Sequence, residues 1–417
     1  MIHFYRLFYL LLKVLLITLR PVLGEKTKTW ISLRMASASQ KFRDLHLTNS
    51  IWVHASSGEI EYAKTLIRQL KTAKPNTPII VTYSSVSAEK LFDNVRAYVH
   101  TFLPLPWDDV YSVQQLINKI NPSVLVFSRT DLWPELVAQC SRQKIPLIVI
   151  SYFPKLNFLN RIYLKSMLKN FTLISCVDEK VKQSLAQMHL PSFVTITADG
   201  DTRYDQVFAR LEQTPQIQLI TKERVFTFGS TWPEDEAKLA SLFHEVILNG
   251  HRFVLSPHDV SSANISRIEK FLTERNYDYK KVSQLSNQID FNFSVLLIDR
   301  IGYLADAYRD SDFAFVGGSF RARVHSVMEP LACGLPVLIG PHYQNNPEAI
   351  HYAAKENEDY VFVCNSEEEL LKNYRRVNAF DLTSHKLKIK SQIQKNQGAS
   401  KKITDFILST VLKNSDS

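Results

Sequence analysis

Cysteine is scarce in this sequence: four in 417 residues, at Cys140, Cys176, Cys333 and Cys364, with no Cys-x-x-Cys pair. That excludes a disulfide framework and a zinc ribbon, and it fits a reducing compartment. Glycine is sparse too, at 11 residues. No glycines fall in G-x-G-x-x-G or G-x-x-x-x-G-K-[ST] order, so neither the dinucleotide fingerprint nor the P-loop is present. Zinc-finger spacing, an RNP motif and basic runs interleaved with stacking aromatics are also missing, which ranks nucleic acid last among partners. The histidines are too scattered for a metal site, and no metal is expected.

What is present is ordinary globular composition, 45% hydrophobic and 22% charged, in a chain long enough for two or three domains. The charge is uneven. Residues 1–210 hold 26 Lys and Arg against 15 Asp and Glu, an excess of +11, whereas residues 211–417 stand at −2. A one-sided positive balance speaks to partners rather than fold: a phosphorylated ligand or an anionic membrane surface. The first residues favour the membrane. In MIHFYRLFYLLLKVLLITLRPVLG, Arg6, Lys13 and Arg20 recur every seven positions among Leu, Ile, Phe, Tyr and Val. On a helix they form one stripe, which predicts an amphipathic anchor over 1–24 whose cations reach lipid headgroups. A tilted span and a buried core helix are the alternatives. Deleting the segment is expected to release the protein without unfolding it.

Beyond the anchor, short apolar runs alternate with helical stretches. SIWVHA, TPIIVTYS, PSVLVFS and IPLIVISY lie in the first half, and RVFTFGS, HRFVLSP, DFAFVGG and LPVLIG in the second. Continuous apolar strands joined by helices mean parallel sheets covered on both faces. The expected fold class is α/β: two Rossmann-like domains facing a cleft, 25–210 and 211–417, the second closed by a C-terminal helix. Ligands in such sheets bind at the carboxyl ends of strands.

Four strand ends carry the candidate residues. VHASSGEIEYA runs from a strand through Ser57 and Gly58 into Glu59, at the start of a helix. Glu59 is either a first-turn acid that the helix dipole keeps ionised or a carboxylate placed to take a proton. SRTDLWPE supplies Arg129 and Asp131. GSTWPEDE offers Gly229, Ser230 and Thr231: either a capping box with Thr231 as cap, or hydroxyls facing a ligand oxyanion. The fourth stretch holds Gly317, Gly318 and Ser319, then His325, Ser326 and Glu329, then Asn345. Its spacing predicts a glycine turn, a helix from His325 for a phosphate, and Glu329 on the same face to meet a ribose diol. His54 and His258 sit at strand ends, where histidine is usually a structural hydrogen-bonder. Trp133 and Trp232 read as packing residues.

Together these segments resemble the Kdo transferases, which move 3-deoxy-D-manno-octulosonic acid from CMP-Kdo to a lipid A precursor. The likeness runs through WVHASSGE, LPLPWDD, SRTDLWPE, GDTRYD, FGSTWPEDE, LSPHD and VHSVMEPLACGLPVLIGPHYQNNPEA. It implies a glycosyltransferase-B fold, an inverting reaction without metal or other cofactor, and a site on the cytoplasmic face of the bacterial inner membrane. It implies an N-terminal lipid-acceptor domain and a C-terminal CMP-sugar domain, with Glu59 as general base. Asp131 is expected to be catalytic beside it, and Arg203, Pro257 and His258 to bind substrate. The chain departs from the family where Arg129 stands for an acid and Glu135 for an asparagine in SRTDLWPE, where Ser326 stands for asparagine, and where LSPHD lacks an arginine. Arg129 is then either a contact for a sugar carboxylate or acceptor phosphate, or a surface cation. A nucleotide-sugar epimerase of similar fold and a non-catalytic lipid-binding homologue are the competing readings.

Overall fold

The computed structural model describes residues 2–35, 42, 44–155, 157–354 and 359–412. The chain divides into two compact units, residues 1–206 with 396–417, and 207–395.

The first unit is built on β1 Ser50–His54, β2 Ile79–Tyr83, β3 Thr101–Pro104, β4 Pro122–Ser128, β5 Leu147–Tyr152, β6 Leu173–Cys176 and β7 Thr195–Thr197. They form one sheet in the order β3-β2-β1-β4-β5-β6-β7, and every neighbour pair is parallel. Its helices are α1 Ile2–Leu19, α2 Glu25–Met35, α3 Ile60–Ala73, α4 Val110–Ile120, α5 Pro134–Arg142, α6 Phe158–Leu168, α7 Glu179–Ala186 and α8 Thr202–Leu211; the division between units falls within α8. The strands read as unbroken apolar runs because both faces are covered. Trp52 points into one core cluster, while Ile51 and Val53 point into the other. Side chains alternate across a strand, so a two-sided core needs apolar residues at every position.

The second unit repeats the plan. It contains β8 Gln218–Ile220, β9 Val225–Thr231, β10 Arg252–Pro257, β11 Tyr279–Lys281, β12 Gln288–Asp290, β13 Val295–Leu297, β14 Phe313–Val316, β15 Val337–Ile339 and β16 Val361–Val363. The main sheet runs β11-β13-β10-β9-β14-β15-β16, and β8 pairs separately with β12. Around them lie α9 Pro233–Leu248, α10 Ser262–Glu274, α11 Leu304–Arg309, α12 Met328–Ala332, α13 Pro347–Ala353, α14 Glu367–Asn378 and α15 Leu382–Gln394.

The tail differs from expectation. Its helix α16, Ala399–Phe406, belongs to the first unit. Ile403, Ile407 and Leu412 join the core beside Ile51 and Leu66. The carboxylate of Asp205 accepts the backbone N–H groups of Gly398 and Ser400 at 2.6 and 2.7 Å. A buried acid at the helix start thus ties the tail down.

The cations of α1 also face the other way. Arg6 makes two hydrogen bonds to the fully buried Glu135, at 2.8 and 2.9 Å. Lys13 pairs with Asp109 at 2.7 Å, and Arg20 donates to Ser32. Tyr5 donates to Asp108 at 2.7 Å. The stripe expected to meet headgroups is therefore the protein-facing side. The outward side carries Phe4, Leu7, Phe8, Leu11, Val14 and Leu15, all exposed. Among the described residues, Ile2–Val22 is the one helix long and apolar enough to cross a membrane, with mean hydropathy 1.7.

Candidate active site

In each sheet the chain crosses from one half of the sheet to the other at a switch point, between β1 and β4 in the first unit and between β9 and β14 in the second. Crevices open at such switch points, at the carboxyl ends of strands. The four segments singled out above lie there: VHASSGE at the end of β1, SRTD at the end of β4, GSTW at the end of β9 and VGGSF at the end of β14.

In the first unit β1 ends at His54, and a 3-10 turn over Ser57–Glu59 precedes α3. Ser57 holds φ +47°, in the left-handed region. A Cβ added to Gly58 would meet nothing within 4 Å, so the fold itself does not demand glycine there. Glu59 is half-buried. Its Oε1 accepts from the Thr130 hydroxyl at 3.3 Å, while Oε2 is buried with no hydrogen-bond partner. Burial, and then the charge of Asp131, push its pKa up to about 7. The helix dipole was expected to keep this acid low; desolvation and a like charge outweigh it.

Asp131 itself is held well below the usual carboxylate range. Burial acts to raise it, but the hydrogen bond and charge of His54 and the Ser84 hydroxyl prevail. His54 Nε2 lies 3.0 Å from Asp131 Oδ2, and Ser84 Oγ donates to the same oxygen at 2.9 Å. The Trp52 indole donates to Thr82 Oγ1, which sits 2.9 Å from His54 Nδ1. The Thr82 hydrogen is thus free for Nδ1, leaving the Nε2 hydrogen for Asp131. His54 is structural, as its position suggested, yet its target is a site carboxylate.

Arg129 also adopts a left-handed backbone, φ +60°. Its guanidinium donates to the Tyr62 hydroxyl and lies 4.7 Å from the ring centroid. Arg203 donates to the same hydroxyl at 3.3 Å and lies 5.3 Å from the ring. Two guanidinium groups therefore converge on one tyrosine side chain, three residues after Glu59. Tyr62 was not among the expected residues; its i+3 spacing from Glu59 in α3 was the available signal. Trp133 packs as expected, with the buried Arg34 guanidinium 4.2 Å from its ring.

In the second unit several expected ligand groups have protein partners. Gly229 is a packing glycine, since a Cβ there would run into the Tyr308 hydroxyl. The buried Thr231 hydroxyl donates to Glu236 at 2.9 Å, and the cap of α9 is Trp232, not Thr231. The Trp232 N–H donates to Asp235 at 2.9 Å. Ser319 is fully buried; its hydroxyl donates to the Val316 carbonyl and accepts from the Gly340 N–H. Asn345 pairs with both backbone groups of Val324, at 3.0 and 3.2 Å. The helix expected from His325 begins only at Met328 and lasts five residues. His325 and Ser326 are not helical, so Glu329 does not share a helix face with His325.

What the fold does assemble here is an aromatic stack. The Trp232 and His258 rings lie 4.6 Å apart, and His258 and His325 lie 4.4 Å apart. Arg321 covers the other face of Trp232 at 3.8 Å. The Trp232 indole donates to His325 Nε2 at 3.2 Å. Burial, followed by the charges of His258 and Arg323, lowers the His325 pKa to about 4, so the ring is neutral at pH 7. Ser230 forms a bulge within β9 at φ +55°, and Pro257 is buried at the end of β10. Gly318, at φ +78°, turns the chain over His325, and Gly317 approaches the Ser230 backbone closely. Asp235 fastens this loop: it accepts from Gly318 N at 2.7 Å and Phe320 N at 2.9 Å. Asp310-Ser311-Asp312 is formally an Asp-x-Asp, but Asp310 accepts from Leu219 N and Asp312 from Val225 N, before β14 rather than after it.

The two doubly wound units match the glycosyltransferase-B type of fold. UDP-GlcNAc 2-epimerase from Neisseria meningitidis shares it, with TM-score 0.62 and 16% identity over 87% of this chain and 100% of that one. Residues 29–206 match the family described as 3-deoxy-D-manno-octulosonic-acid transferase (kdotransferase). Relatives include the 3-deoxy-D-manno-octulosonic acid transferase of Haemophilus influenzae, 27% identical over 72% of this chain and 72% of that one. A bifunctional glycosyltransferase/methyltransferase of Fusobacterium nucleatum is 27% identical over 81% of this chain, a match spanning 54% of its own length. The chain is thus similar to the Kdo transferases over residues 29–206 by family model, and over longer stretches to Kdo transferases that are 22–27% identical to it.

Proposed function

We propose that this chain transfers Kdo from CMP-Kdo to a lipid A precursor, with inversion and without a metal or other cofactor, at the cytoplasmic face of the inner membrane. The observation that carries the reading is Glu59: one buried carboxylate oxygen without a partner and a pKa near 7, at the switch point of the first sheet. A general base works best when its pKa lies near the working pH. Glu59 takes the proton of the acceptor hydroxyl as that oxygen bonds to the anomeric carbon of Kdo. The bond from that carbon to the CMP phosphate breaks, and its electron pair leaves with CMP. Arg129 and Arg203 supply positive charge for an acidic group of the sugar or the acceptor. The Trp232–His258–His325 stack and the turn through Ser230 and Gly318 supply a surface for the donor. Asp131 keeps Glu59 basic and touches no substrate.

The test is incubation of the full chain with CMP-Kdo and the tetraacylated lipid A precursor, following CMP release and the lipid mass. Transfer by the parent and its loss in Glu59→Gln, with CMP-Kdo binding retained, is the expected result. No CMP release from the parent, or near-parental turnover by Glu59→Gln, overturns it. Conversion of UDP-GlcNAc by the parent would favour the epimerase reading instead.

A further inference from the structure

Since Arg6 and Lys13 of α1 are paired inward with acids, any recognition of lipid charge must come from other side chains. Such side chains lie beside the helix. α6 carries Arg161 and Lys165 at i and i+4, Lys169 caps its C-terminal end, and α5 ends in Arg142. No acid lies within ion-pair distance of any of the four among the described residues. Ile162 and Tyr163 on α6 are exposed. A basic and apolar surface therefore adjoins the N-terminal turn of α1, at Ile2 and Tyr5.

Between α1, α5 and α6 lies a cavity of about 340 Å³. Ile2, Val137, Ala138 and Met167 give it an apolar floor, and Arg142 and Lys169 stand among its lining residues. A hydrocarbon floor with two cations fits an amphiphile that has a chain and an anionic headgroup. Ile2 and Tyr5 line it, so it lies at the N-terminal turn of the helix whose exposed side is apolar, where a bilayer leaflet that met this side would reach it.

We propose that this cavity binds one anionic phospholipid of the bilayer, its chain against Val137, Ala138 and Met167 and its phosphate between Arg142 and Lys169. The site is independent of the transfer reaction and does not involve Glu59.

The test uses the full chain and vesicles of phosphatidylcholine, with and without phosphatidylglycerol. Arg142→Gln/Lys169→Gln changes only exposed side chains. It should weaken binding to the anionic vesicles by about tenfold or more at low salt, since each basic residue near such a surface contributes roughly fivefold. Binding to the neutral vesicles should not change. Native mass spectrometry should find one phosphatidylglycerol retained by the parent and none by Ala138→Trp, which fills the cavity. Undiminished preference for anionic vesicles in the double variant, or retention of the lipid by Ala138→Trp, overturns the proposal. Should Ala138→Trp fail to fold, the double variant decides.

Discussion

Glu59 and Asp131 divide one job between two carboxylates. Asp131 is stabilised as an anion by His54 and Ser84, and Glu59 is left partly stripped of water beside it. The folded pKa of Glu59, about 7, exceeds the ordinary glutamate value of 4.5. Folding therefore favours its protonated form. The penalty for burying its charge is absent below the unfolded pKa and grows as pH rises through 7. Glu59→Gln should be as stable as the parent at pH 4 and more stable at pH 8, by up to about 3 kcal/mol; thermal melts at the two pH values check this. If Glu59 is the base, the acid limb of kcat/KM should titrate near 7. Removing the neighbouring charge with Asp131→Asn should move that limb down by about one pH unit. A limb that stays in place would mean that Asp131 does not act on Glu59.

At the level of elements, the loop after β14 is held by one side chain from α9. Asp235 is fully buried and accepts from Trp232, Gly318 and Phe320. Asp235→Ala should leave buried N–H groups unpaired and cost about 3 kcal/mol or more, read from a denaturant midpoint. Binding of CMP-Kdo should weaken with it, because the turn over His325 loses its brace. This tie was not legible beforehand: Gly318 lies 83 positions from Asp235, and an acid in the first turn of a helix is explained well enough by the cap. The helix expected at His325 failed for a related reason. Histidine and serine at a suitable spacing suggest a helix start, but His325 and Asn346 are joined across the loop instead. By contrast, the strands were legible, because a sheet covered on both faces requires apolar runs. The strand-end residues Glu59 and Asp131 were legible as well, since this topology sends such positions to the switch point.

Across the whole molecule, α1 is part of the first unit rather than a detachable leash. A seven-residue stripe of cations looks the same in sequence whether it meets lipid or carboxylates, and here it meets Glu135 and Asp109. Glu135, a departure from the family asparagine, is thereby matched by Arg6. Removing residues 2–24 should strip Glu135 of its Arg6 ion pair and Asp108 of its bond from the Tyr5 hydroxyl. It should lower stability by about 3–5 kcal/mol through Glu135 alone. Comparing melting of the truncated and full chains in detergent tests this; equal melting points would show that the pairing contributes nothing. The inward turn of Arg6 and Lys13 has a practical corollary at the bench. With the outward side of that first helix mostly oily, brine washes should strip little of the protein from sedimented envelopes, whereas a mild surfactant should bring it out intact.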